Sequence, residues 1–492
     1  MSRRMALSQL ADGLFGIPPD FNPLITGMTA DSRVLREGDA FIAVSGLTAH
    51  GLNYLKPELA GKVAAVLFEP PAPDGYVPTG NAVPVPALKR LQATIADRFY
   101  GSPSRAMTVI GVTGTNGKTS TVQMLAEAFT RSGSRAGTIG TLGIGMFGQI
   151  RAGERTTPDV IAVHGALAEM HDAGARVVAM EVSSHALEQG RVAEVAFDTA
   201  VFSNLTQDHL DYHGSMQAYF EAKARLFSWP GLRQAVINID DAYGRALLAG
   251  LPGGLSLMRV SANGHPDADL RAEDIRLGLD GMRFTLVLGA ERRPVASSLL
   301  GRFNVDNLLA VAGVLSGLGH GLAETADIIA ALAPVDGRMS RLGGIGGQPL
   351  VVVDYAHTPD ALEQALQTLR DHGQARLLCV FGCGGDRDRG KRPLMAACAE
   401  RLADIVWVTD DNPRTEPGDA IVAEIRAGFR HPGRVRIQRD RRSAIAEAVR
   451  EAGPGDIVLI AGKGHETYQE VDGVQSAFDD RAVAAGILAE AA

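Results

Sequence analysis

The segment Thr113-Gly-Thr-Asn-Gly-Lys-Thr119 constrains the fold of this chain more than any other stretch of its sequence. It lies between an apolar run at residues 107–112 and a helical pattern at residues 119–131. A buried strand, a glycine loop and a helix in this order predict one unit of a parallel sheet with helices on its faces. The backbone N–H groups of such a loop and the start of its helix form a site for phosphate groups.

The last two residues of this loop predict a nucleoside triphosphate as the ligand. Lys118 would neutralise the outer phosphates, and Thr119 would offer its hydroxyl to Mg²⁺. A strict phosphate-loop pattern has glycine six residues before the lysine, where this chain has Val112, and its glycines lie instead at positions 111, 114 and 117. The alternative is a glycine-rich turn with an exposed lysine, which the strand–loop–helix context disfavours.

Apolar runs predict that the α/β pattern extends along the whole chain. The predicted buried strands cover residues 39–44, 62–68, 175–182, 195–203, 350–353, 377–381, 405–408 and 457–461. A helix is predicted at residues 87–100, ending at Gly101, and another at residues 216–227. Two alternating stretches between residues 274 and 288 flank Asp280-Gly281, which predicts a hairpin.

With 492 residues, the chain is too long for one ordinary core. We predict three domains, at residues 1–105, 106–334 and 335–492. The predicted class is α/β, with a small N-terminal α/β domain, a central phosphate-loop domain with a mainly parallel sheet, and a C-terminal doubly wound, Rossmann-like domain. Ligands of doubly wound sheets bind at the carboxyl ends of the strands.

The amino-acid composition limits which classes of binding partner and which cellular compartment we expect for this protein. Lysine and arginine number 48 against 56 acidic residues, a net charge of −8, which argues against broad binding to nucleic acid or membrane surfaces. Three cysteines, Cys379, Cys383 and Cys398, do not suggest a disulfide framework. No signal-peptide core follows the basic start, and no apolar run approaches the roughly 20 residues that cross a bilayer. We predict a soluble, cytoplasmic protein.

Two polar clusters follow buried strands and are candidates for metal or substrate contacts. Glu181 begins Glu-Val-Ser-Ser-His185, and His209 lies in Asn204-Leu-Thr-Gln-Asp-His-Leu-Asp-Tyr-His213. A carboxylate at such a strand end points into the ligand crevice, although a surface charge is equally common. A lone histidine is more often structural than a ligand, and Lys223, inside a helical stretch, is by propensity a surface lysine.

The segment Asp411-Asn-Pro-Arg414 follows the buried strand at residues 405–409. On sequence alone, an Asx-Pro turn is the more common explanation of such a segment.

Taken together, these motifs resemble the Mur ligase family over about residues 30–470. The matching segments are Gly114–Thr119, Glu181–His185, Asn204–Gly214, Gly301-Arg-Phe-Asn-Val-Asp-Asn307, Asp354-Tyr-Ala-His-Thr-Pro359 and Gly462-Lys-Gly-His-Glu466. The resemblance implies three domains, which bind a uridine nucleotide, ATP and an incoming amino acid. It implies that ATP phosphorylates a carboxylate to an acyl phosphate, which the amine of the amino acid then attacks.

The resemblance also implies a role for each matching position. For ATP the positions are Gly114, Thr115, Asn116, Gly117, Lys118, Thr119, Ser120, Asn304, Arg338 and Asp354. For the UDP-muramyl dipeptide they are Ala30, Ser32, Leu47, Thr48, Ala49, Thr156, Thr157, Ser183, Gln189 and Arg191. For the amino acid they are Arg387, Asp411, Asn412, Pro413, Arg414, Gly462 and Glu466. The implied catalytic residues are Lys118, Lys223, His209 and Glu181, and the implied Mg²⁺ ligands are Thr119, Glu181, His209 and Lys223 as a carbamate (N6-carboxylysine).

The tetrapeptide at residues 411–414 resembles that of family members that add meso-diaminopimelate to UDP-N-acetylmuramoyl-L-alanyl-D-glutamate during peptidoglycan synthesis. Diaminopimelate carries one more carboxylate than lysine, and the Arg414 guanidinium could bind it with two parallel hydrogen bonds. The alternatives are the L-lysine-adding ligase of the same step, a folylpolyglutamate synthetase and a non-catalytic nucleotide switch. The resemblance further implies a monomer without nucleic-acid partners or membrane insertion.

Overall fold

The computed structural model describes residues 3–46, 49–153, 155–335 and 337–490. The chain divides into two compact units, Met1–Val260 with Gly313–Gly319, and Ser261–Ala312 with His320–Ala492. Leu47 and Thr48, two of the predicted dipeptide-binding residues, lie outside the described residues. No helix in the described part of the chain combines the length and the apolar composition needed to cross a membrane.

The first unit begins with a two-stranded antiparallel pair and a small parallel sheet. The elements are β1 Met5–Ala6, α1 Leu7–Ala11, β2 Leu24–Ile25, β3 Gly27–Thr29, β4 Asp39–Ala43, α2 Pro57–Ala60, β5 Ala65–Phe68, β6 Ala82–Pro84 and α3 Leu88–Tyr100. Strands β1 and β2 pair with each other, and strands β3 to β6 form the parallel sheet in chain order. Alternate residues of β4 face opposite ways, so that Ile42 packs with Leu88 of α3 whereas Phe41 packs with Leu52. The strand predicted at 39–44 and the helix ending at Gly101 are confirmed. The strand predicted at 62–68 begins only at Ala65, because the N–H groups of Lys62 and Val63 donate to the Leu59 carbonyl in the turn that ends α2.

The rest of the first unit is a larger sheet around the phosphate loop. Its elements are β7 Thr108–Thr113, α4 Lys118–Arg131, β8 Ala136–Gly140, β9 Gly143–Met146, β10 Gln149–Arg151, α5 Val160–Asp172, β11 Val177–Glu181, α6 Ser184–Glu188, β12 Thr199–Phe202, α7 Leu210–His213, α8 Met216–Ala224, β13 Gln234–Asn238, α9 Ala242–Leu248 and β14 Ser256–Ser261. The strand order is β10-β9-β8-β11-β7-β12-β13-β14, parallel from β8 to β14. Because β7 lies between β11 and β12, the segments after these three strands meet at one edge.

Two predicted elements of this sheet are shorter than expected. The strand predicted at 195–203 begins only at Thr199, because the N–H of Val195 donates to the Val192 carbonyl in a turn. The helix predicted to run to residue 227 ends as α8 at Ala224 and continues as one 3₁₀ turn, Arg225–Ser228. Leu226 and Phe227 are fully buried, and their apolar pattern concealed this change of helix type.

The second unit starts with an antiparallel meander and two helices: β15 Leu270–Gly278, β16 Gly281–Leu288, β17 Glu291–Ser297, α10 Phe303–Gly317 and α11 Leu322–Ala330. The last turn of α10, from Gly313, is counted with the first unit. The predicted hairpin is confirmed, with Gly278 opposite Gly281 in the register. Gly281 has a φ of +123°, and a Cβ there would lie 2.0 Å from the Ser297 carbonyl oxygen, so only glycine fits.

A doubly wound sheet forms the remainder of the second unit. Its elements are β18 Ser340–Gly343, β19 Leu350–Asp354, α12 Pro359–Arg370, β20 Leu377–Phe381, α13 Lys391–Leu402, β21 Ile405–Val408, α14 Gly418–Arg426, β22 Arg436–Ile437, α15 Arg441–Glu451, β23 Ile457–Ala461, β24 Tyr468–Val471, β25 Val474–Ala477 and α16 Asp480–Glu490. The order is β18-β19-β23-β20-β21-β22, with only β18 antiparallel among the pairs that the described residues form. Val352 packs towards α12 and α13, and Val353 towards α15 and α16. The predicted α/β class and its doubly wound second sheet are confirmed.

Candidate active site

The phosphate loop of the first unit is held open by its neighbours. Gly114 has a φ of +150°, and a Cβ there would lie 2.0 Å from Ser203 Oγ. Asn204 follows β12 and binds Asn116 twice, accepting from its N–H at 2.9 Å and donating to its carbonyl at 3.2 Å. Lys118 Nζ donates to the carbonyls of Gly114 and Thr115 at 2.9 and 2.8 Å. The loop is therefore preorganised, with a cation at the predicted phosphate position.

Glu181, at the end of β11, lies next to this loop. The side chain is 1% exposed, and its Oε1 accepts from the N–H of Thr141 at 2.7 Å. Burial raises the pKa of Glu181, whereas the Lys118 ammonium and hydrogen bonds from Thr119 and Thr141 oppose that rise. The sequence analysis assigned no role to Thr141, which no motif marks. The structure brings together Lys118, Thr119 and Glu181 as predicted.

Lys223 is not the surface lysine that helix propensity favours. The side chain is 1% exposed, and its Nζ donates to the Gly114 carbonyl at 2.8 Å. The ammonium also lies 4.5 Å from the centre of the Tyr219 ring. Burial lowers the pKa of Lys223 well below 10.5, and the nearby Lys118 lowers it further, whereas Asp208 opposes the shift. The neutral amine is therefore accessible at lower pH than in an exposed lysine.

His209 belongs to a cluster of rings beside Lys223. It precedes α7 with a φ of +52°, its side chain is 48% exposed, and its Nε2 lies 3.4 Å from Asp208 Oδ2. Its ring meets that of His185 edge to face at 4.9 Å between centroids. Burial lowers the pKa values of His185 and His213, which favours their neutral forms. His209 therefore contacts this cluster with one part of its ring, and about half of its side chain remains exposed.

A metal ion can be held here only with help from substrate and water. No three His, Cys, Asp or Glu side chains come together as a metal site within the described ranges. Mg²⁺ commonly takes one or two protein groups and completes its octahedron with phosphates and water. The Thr119 hydroxyl and the Glu181 carboxylate, which share a hydrogen bond, provide oxygen ligands of this kind. The donor set therefore fits Mg²⁺.

Four of the predicted dipeptide contacts form one connected network in the first unit. Thr157 Oγ1 donates to the Glu181 carbonyl at 2.8 Å and accepts from the N–H of Ser183 at 3.2 Å. Arg191 donates to the Thr157 carbonyl at 3.0 Å and to Gln189 Oε1 at 2.6 Å. This network fixes the Arg191 guanidinium beside the end of β11.

The remaining predicted dipeptide contacts are less connected. Thr156 Oγ1 lies 3.1 Å from Thr141 Oγ1. Ala30, Ser32 and Ala49 are half-buried residues of the N-terminal sheet region. Next to Ser32, Arg33 binds both carboxylate oxygens of Asp31, which lowers the pKa of Asp31.

The predicted adenine and ribose contacts lie in the second unit. Asn304 is buried, donates to the Leu300 carbonyl at 2.7 Å and accepts from Asn307 at 2.8 Å. Asp354, at the end of β19, accepts from the N–H of Met339 at 2.8 Å, and burial raises its pKa. Arg338 is exposed. Both hydrogen bonds of Asn304 connect residues at the start of α10, so in this structure its side chain stabilises the beginning of that helix.

The segment Asp411-Asn-Pro-Arg414 is part of a network rather than a free turn. The Arg414 N–H donates to the Glu470 carbonyl at 3.0 Å, and the Arg414 carbonyl accepts from the N–H of Asp472 at 2.7 Å. The hairpin of β24 and β25 thus holds the Arg414 backbone, which has a φ of +53°. The Arg414 guanidinium donates to the Gly385 carbonyl at 2.8 Å. Arg387, predicted to contact the same ligand, is exposed.

Asp411 and Gly462 lie directly against each other within this network. A Cβ on Gly462, whose φ is +116°, would lie 2.5 Å from Asp411 Oδ2. Burial raises the pKa of Asp411, and Arg441 and Lys463 oppose the rise. Arg441 and Asp480 form an ion pair of 2.7 Å with both side chains fully buried. The sequence analysis missed Arg441, because a charge in a helical pattern is normally a solvated one.

Lys463 is a second residue that the sequence analysis left unassigned, although it lies inside the motif Gly462-Lys-Gly-His-Glu466. It is fully buried and bonds Asn412 and Glu466 at 3.1 and 3.0 Å. All three cysteines are free and buried, and burial raises the pKa of Cys383 to about 12 and that of Cys398 to about 11.

Comparison with known proteins identifies the family. A model described as the Mur ligase middle domain matches residues 112–315, and one described as the Mur ligase glutamate ligase domain matches residues 337–464. A relative from Xanthomonas campestris pv. campestris (strain 8004), named UDP-N-acetylmuramoyl-L-alanyl-D-glutamate--2,6-diaminopimelate ligase, is 57% identical over 488 residues, 99% of this chain and 98% of the relative.

Two further matches extend over nearly the full length. A relative of the same name from Pseudomonas aeruginosa is 53% identical over 460 residues, 93% of each chain. A solved structure of a protein with that name has a TM-score of 0.74 and 36% identity, and covers 99% of both chains. These matches span the phosphate-loop sheet and the doubly wound sheet together. The chain belongs to the Mur ligase family.

Proposed function

We propose that this chain is an ATP-dependent ligase that adds meso-2,6-diaminopimelate to UDP-N-acetylmuramoyl-L-alanyl-D-glutamate, a step of peptidoglycan precursor synthesis. Its relatives at 57% and 53% identity carry the name of that ligase. The observation that supports catalysis most directly is that Lys118 and Lys223 both bind the Gly114 carbonyl of the phosphate loop. Lys118 is the cation of this pair that would neutralise the phosphates, whereas Lys223, whose pKa burial lowers, lies against the same loop at the place proposed for a metal ligand.

The first step would transfer the γ-phosphoryl group of ATP to the terminal glutamate carboxylate of the dipeptide. Two anions repel each other on approach, and Lys118 with the loop N–H groups would reduce that repulsion by neutralising the phosphates. The Arg191 guanidinium, fixed by Gln189 and Thr157, is a proposed contact to the dipeptide. The proposed contacts to adenine and ribose are Asn304, Arg338 and Asp354.

Mg²⁺ is the proposed cofactor and would supply charge neutralisation of the phosphates. Thr119 and Glu181 would hold one ion, and His209 with Lys223 would contribute to a second. As an ammonium, Lys223 would repel a cation. Its lowered pKa makes the neutral amine available to react with CO₂, and the resulting carbamate would be an anionic oxygen ligand. We therefore propose that Lys223 acts in the carbamylated form.

In the second step the amine of the incoming amino acid would attack the acyl phosphate, and phosphate would leave from a tetrahedral intermediate. The second carboxylate of diaminopimelate would bind Arg414, whose backbone the neighbouring hairpin holds in place. The second candidate is addition of L-lysine, which has no second carboxylate for Arg414 and would leave it only the Glu470 carboxylate, 3.9 Å from its Nε. That penalty favours diaminopimelate.

Phosphate release from ATP tests the proposal. We expect release only when UDP-N-acetylmuramoyl-L-alanyl-D-glutamate and an amino acid are both present, with diaminopimelate preferred to L-lysine by well over tenfold in kcat/KM. Phosphate release without the dipeptide would indicate a nucleotide switch. Activity with a folate in place of the UDP-dipeptide would indicate a folylpolyglutamate synthetase. Either result would overturn the proposal, and a preference for L-lysine would overturn the substrate assignment.

The division into domains at residues 1–105, 106–334 and 335–492 is proposed as well. Limited proteolysis followed by mass spectrometry tests it, with first cleavages expected near residues 105 and 334. A monomer is the proposed oligomeric state, which sedimentation measures directly.

A further inference from the structure

The proposed amino-acid pocket, formed by Asp411-Asn-Pro-Arg414, Gly462 and Glu466, contains a buried cation to which the proposed function gives no role. Lys463 is fully buried, and its Nζ donates to Asn412 Oδ1 at 3.1 Å and to Glu466 Oε2 at 3.0 Å. Burying an ammonium is costly unless it is paired and hydrogen-bonded. The positive charge of Lys463 therefore acts strongly on any charged ligand group that binds next to Asn412 and Glu466.

The Lys463 ammonium determines how the Asn412 amide faces. An ammonium can only donate, so the amide atom nearest to it must be the oxygen. The N–H of Glu470 donates to the same oxygen at 3.0 Å. Nδ2 of Asn412 then faces Glu466 Oε2 and donates to it at 2.8 Å. Both atoms of the amide are thus assigned, the oxygen by two donors and the nitrogen by a carboxylate acceptor.

The same bonds leave one oxygen of Glu466 available to a ligand. Oε2 accepts from Lys463 and from Asn412, whereas no described residue donates a hydrogen bond to Oε1. A carboxylate oxygen held in this way suits an ammonium group. The pocket would then present an acceptor for an ammonium at Glu466 and a donor for a carboxylate at Arg414.

We propose that Lys463 is a positioning residue that makes this pocket prefer a zwitterionic amino-acid end over a simple ammonium end. The inference rests on the proposed function, because diaminopimelate ends in an ammonium and a carboxylate whereas L-lysine ends in an ammonium alone. Lys463 offsets the negative charge of Glu466 and the neighbouring Asp411. Without it, the pocket becomes one unit more negative, which favours the cationic end of L-lysine and disfavours the additional carboxylate of diaminopimelate.

The test compares both amino acids in the full-length enzyme with ATP and UDP-dipeptide saturating. In Lys463→Met, the ratio of kcat/KM for diaminopimelate to that for L-lysine should fall by about tenfold or more. The KM for diaminopimelate should rise while the KM for L-lysine stays the same or falls. L-lysine is also assayed as a competing inhibitor, so that its binding is measured even where its turnover is slow. If Lys463 only supported the fold, its replacement would lower kcat/KM for both amino acids by the same factor.

Three further variants complete the experiment. Lys463→Arg keeps the charge and should keep the wild-type preference, even if both KM values rise. Lys463→Gln removes the charge but can still donate a hydrogen bond, and it replaces Lys463→Met if that variant does not fold. Lys89→Met removes a lysine from the exposed face of α3 in the other unit and should leave the ratio unchanged.

The outcomes separate the two ideas. If the wild-type enzyme does not prefer diaminopimelate, the proposed function fails first. If the wild-type enzyme prefers diaminopimelate, but loss of the Lys463 charge changes kcat/KM for both amino acids by the same factor, only the role of Lys463 is overturned. An equal loss of preference in Lys463→Arg and Lys463→Met would also overturn it, because the charge would then not matter.

Discussion

Breaking the buried Arg441–Asp480 pair should cost the second unit much of its stability, whereas replacing both partners should restore most of it. Both side chains are fully buried, and two hydrogen bonds of 2.8 and 2.7 Å join them. Removing only the arginine leaves an unpaired buried carboxylate, at a cost of about 3–5 kcal/mol. Since 1 kcal/mol corresponds to a Tm shift of about 2–4 °C in a unit of this size, Arg441→Met should lower the Tm by about 6–20 °C.

The double variant distinguishes a desolvated charge from ordinary packing. Arg441→Met with Asp480→Leu buries no charge, and such replacements are often neutral or stabilising by about 1–4 kcal/mol. Arg441 also donates to the carbonyls of Asp410 and Ala461, at 3.3 and 3.0 Å, and these lose a donor in either variant. We therefore expect the double variant to unfold within about 5 °C of the wild type, not above it.

Tryptophan fluorescence can follow this unfolding in the relevant unit. Trp407 is fully buried in the apolar cluster that α15 and α16 cover, and these helices carry Arg441 and Asp480. The chain has two tryptophans, so a Trp229→Phe background leaves Trp407 as the single reporter. If the two single substitutions lower the Tm by amounts that simply add in the double variant, the reasoning from an unpaired buried charge is wrong.

Three shorter predictions concern the candidate site. Arg414→Ala should raise the KM for diaminopimelate well over tenfold while the KM for ATP changes little, and steady-state kinetics would contradict this if both constants stayed at wild-type values. Lys223→Ala should lose nearly all activity and regain part of it in millimolar acetate or formate, which can replace the carbamate in the space left; no recovery with either anion would count against the carbamate. Gly114→Ala should weaken ATP binding by at least about tenfold in calorimetry, because a Cβ would lie 2.0 Å from Ser203 Oγ, and unchanged affinity would show that the loop adapts.

The strands could be predicted from sequence because each is a short apolar run that ends at polar residues. The strands at 377–381, 405–408 and 457–461 appear with their predicted ends, and the strand predicted at 350–353 is one residue longer, Leu350–Asp354. Where a buried segment was not regular, prediction erred, as before Thr199 and after Ala224. Burial requires apolar residues in either case, so the pattern carries no information on backbone hydrogen bonds.

Site residues could be predicted from sequence when the groups they contact are close to them along the chain, and not when those groups are far away. Lys118 and Thr119 follow from a local loop motif, whereas Lys223 approaches Gly114 from 109 residues away. Its helix is unremarkable in sequence, and only the resemblance to a family singled it out. Arg441 and Lys463 were missed for a related reason. A charged residue is assigned to the surface by default, and only the fold shows which opposite charge it meets in the interior.

The hairpin of β24 and β25 has a consequence for how substrate choice could be altered. The hairpin is hydrogen-bonded to both the N–H and the carbonyl of Arg414. Replacing the Arg414 side chain should therefore change which ligand group is recognised without changing the backbone conformation of the loop. Redesign of the enzyme for a different amino acid could therefore begin with side chains alone. Shortening the hairpin of β24 and β25, in contrast, should reduce the selectivity between amino acids even when residues 411–414 are unchanged.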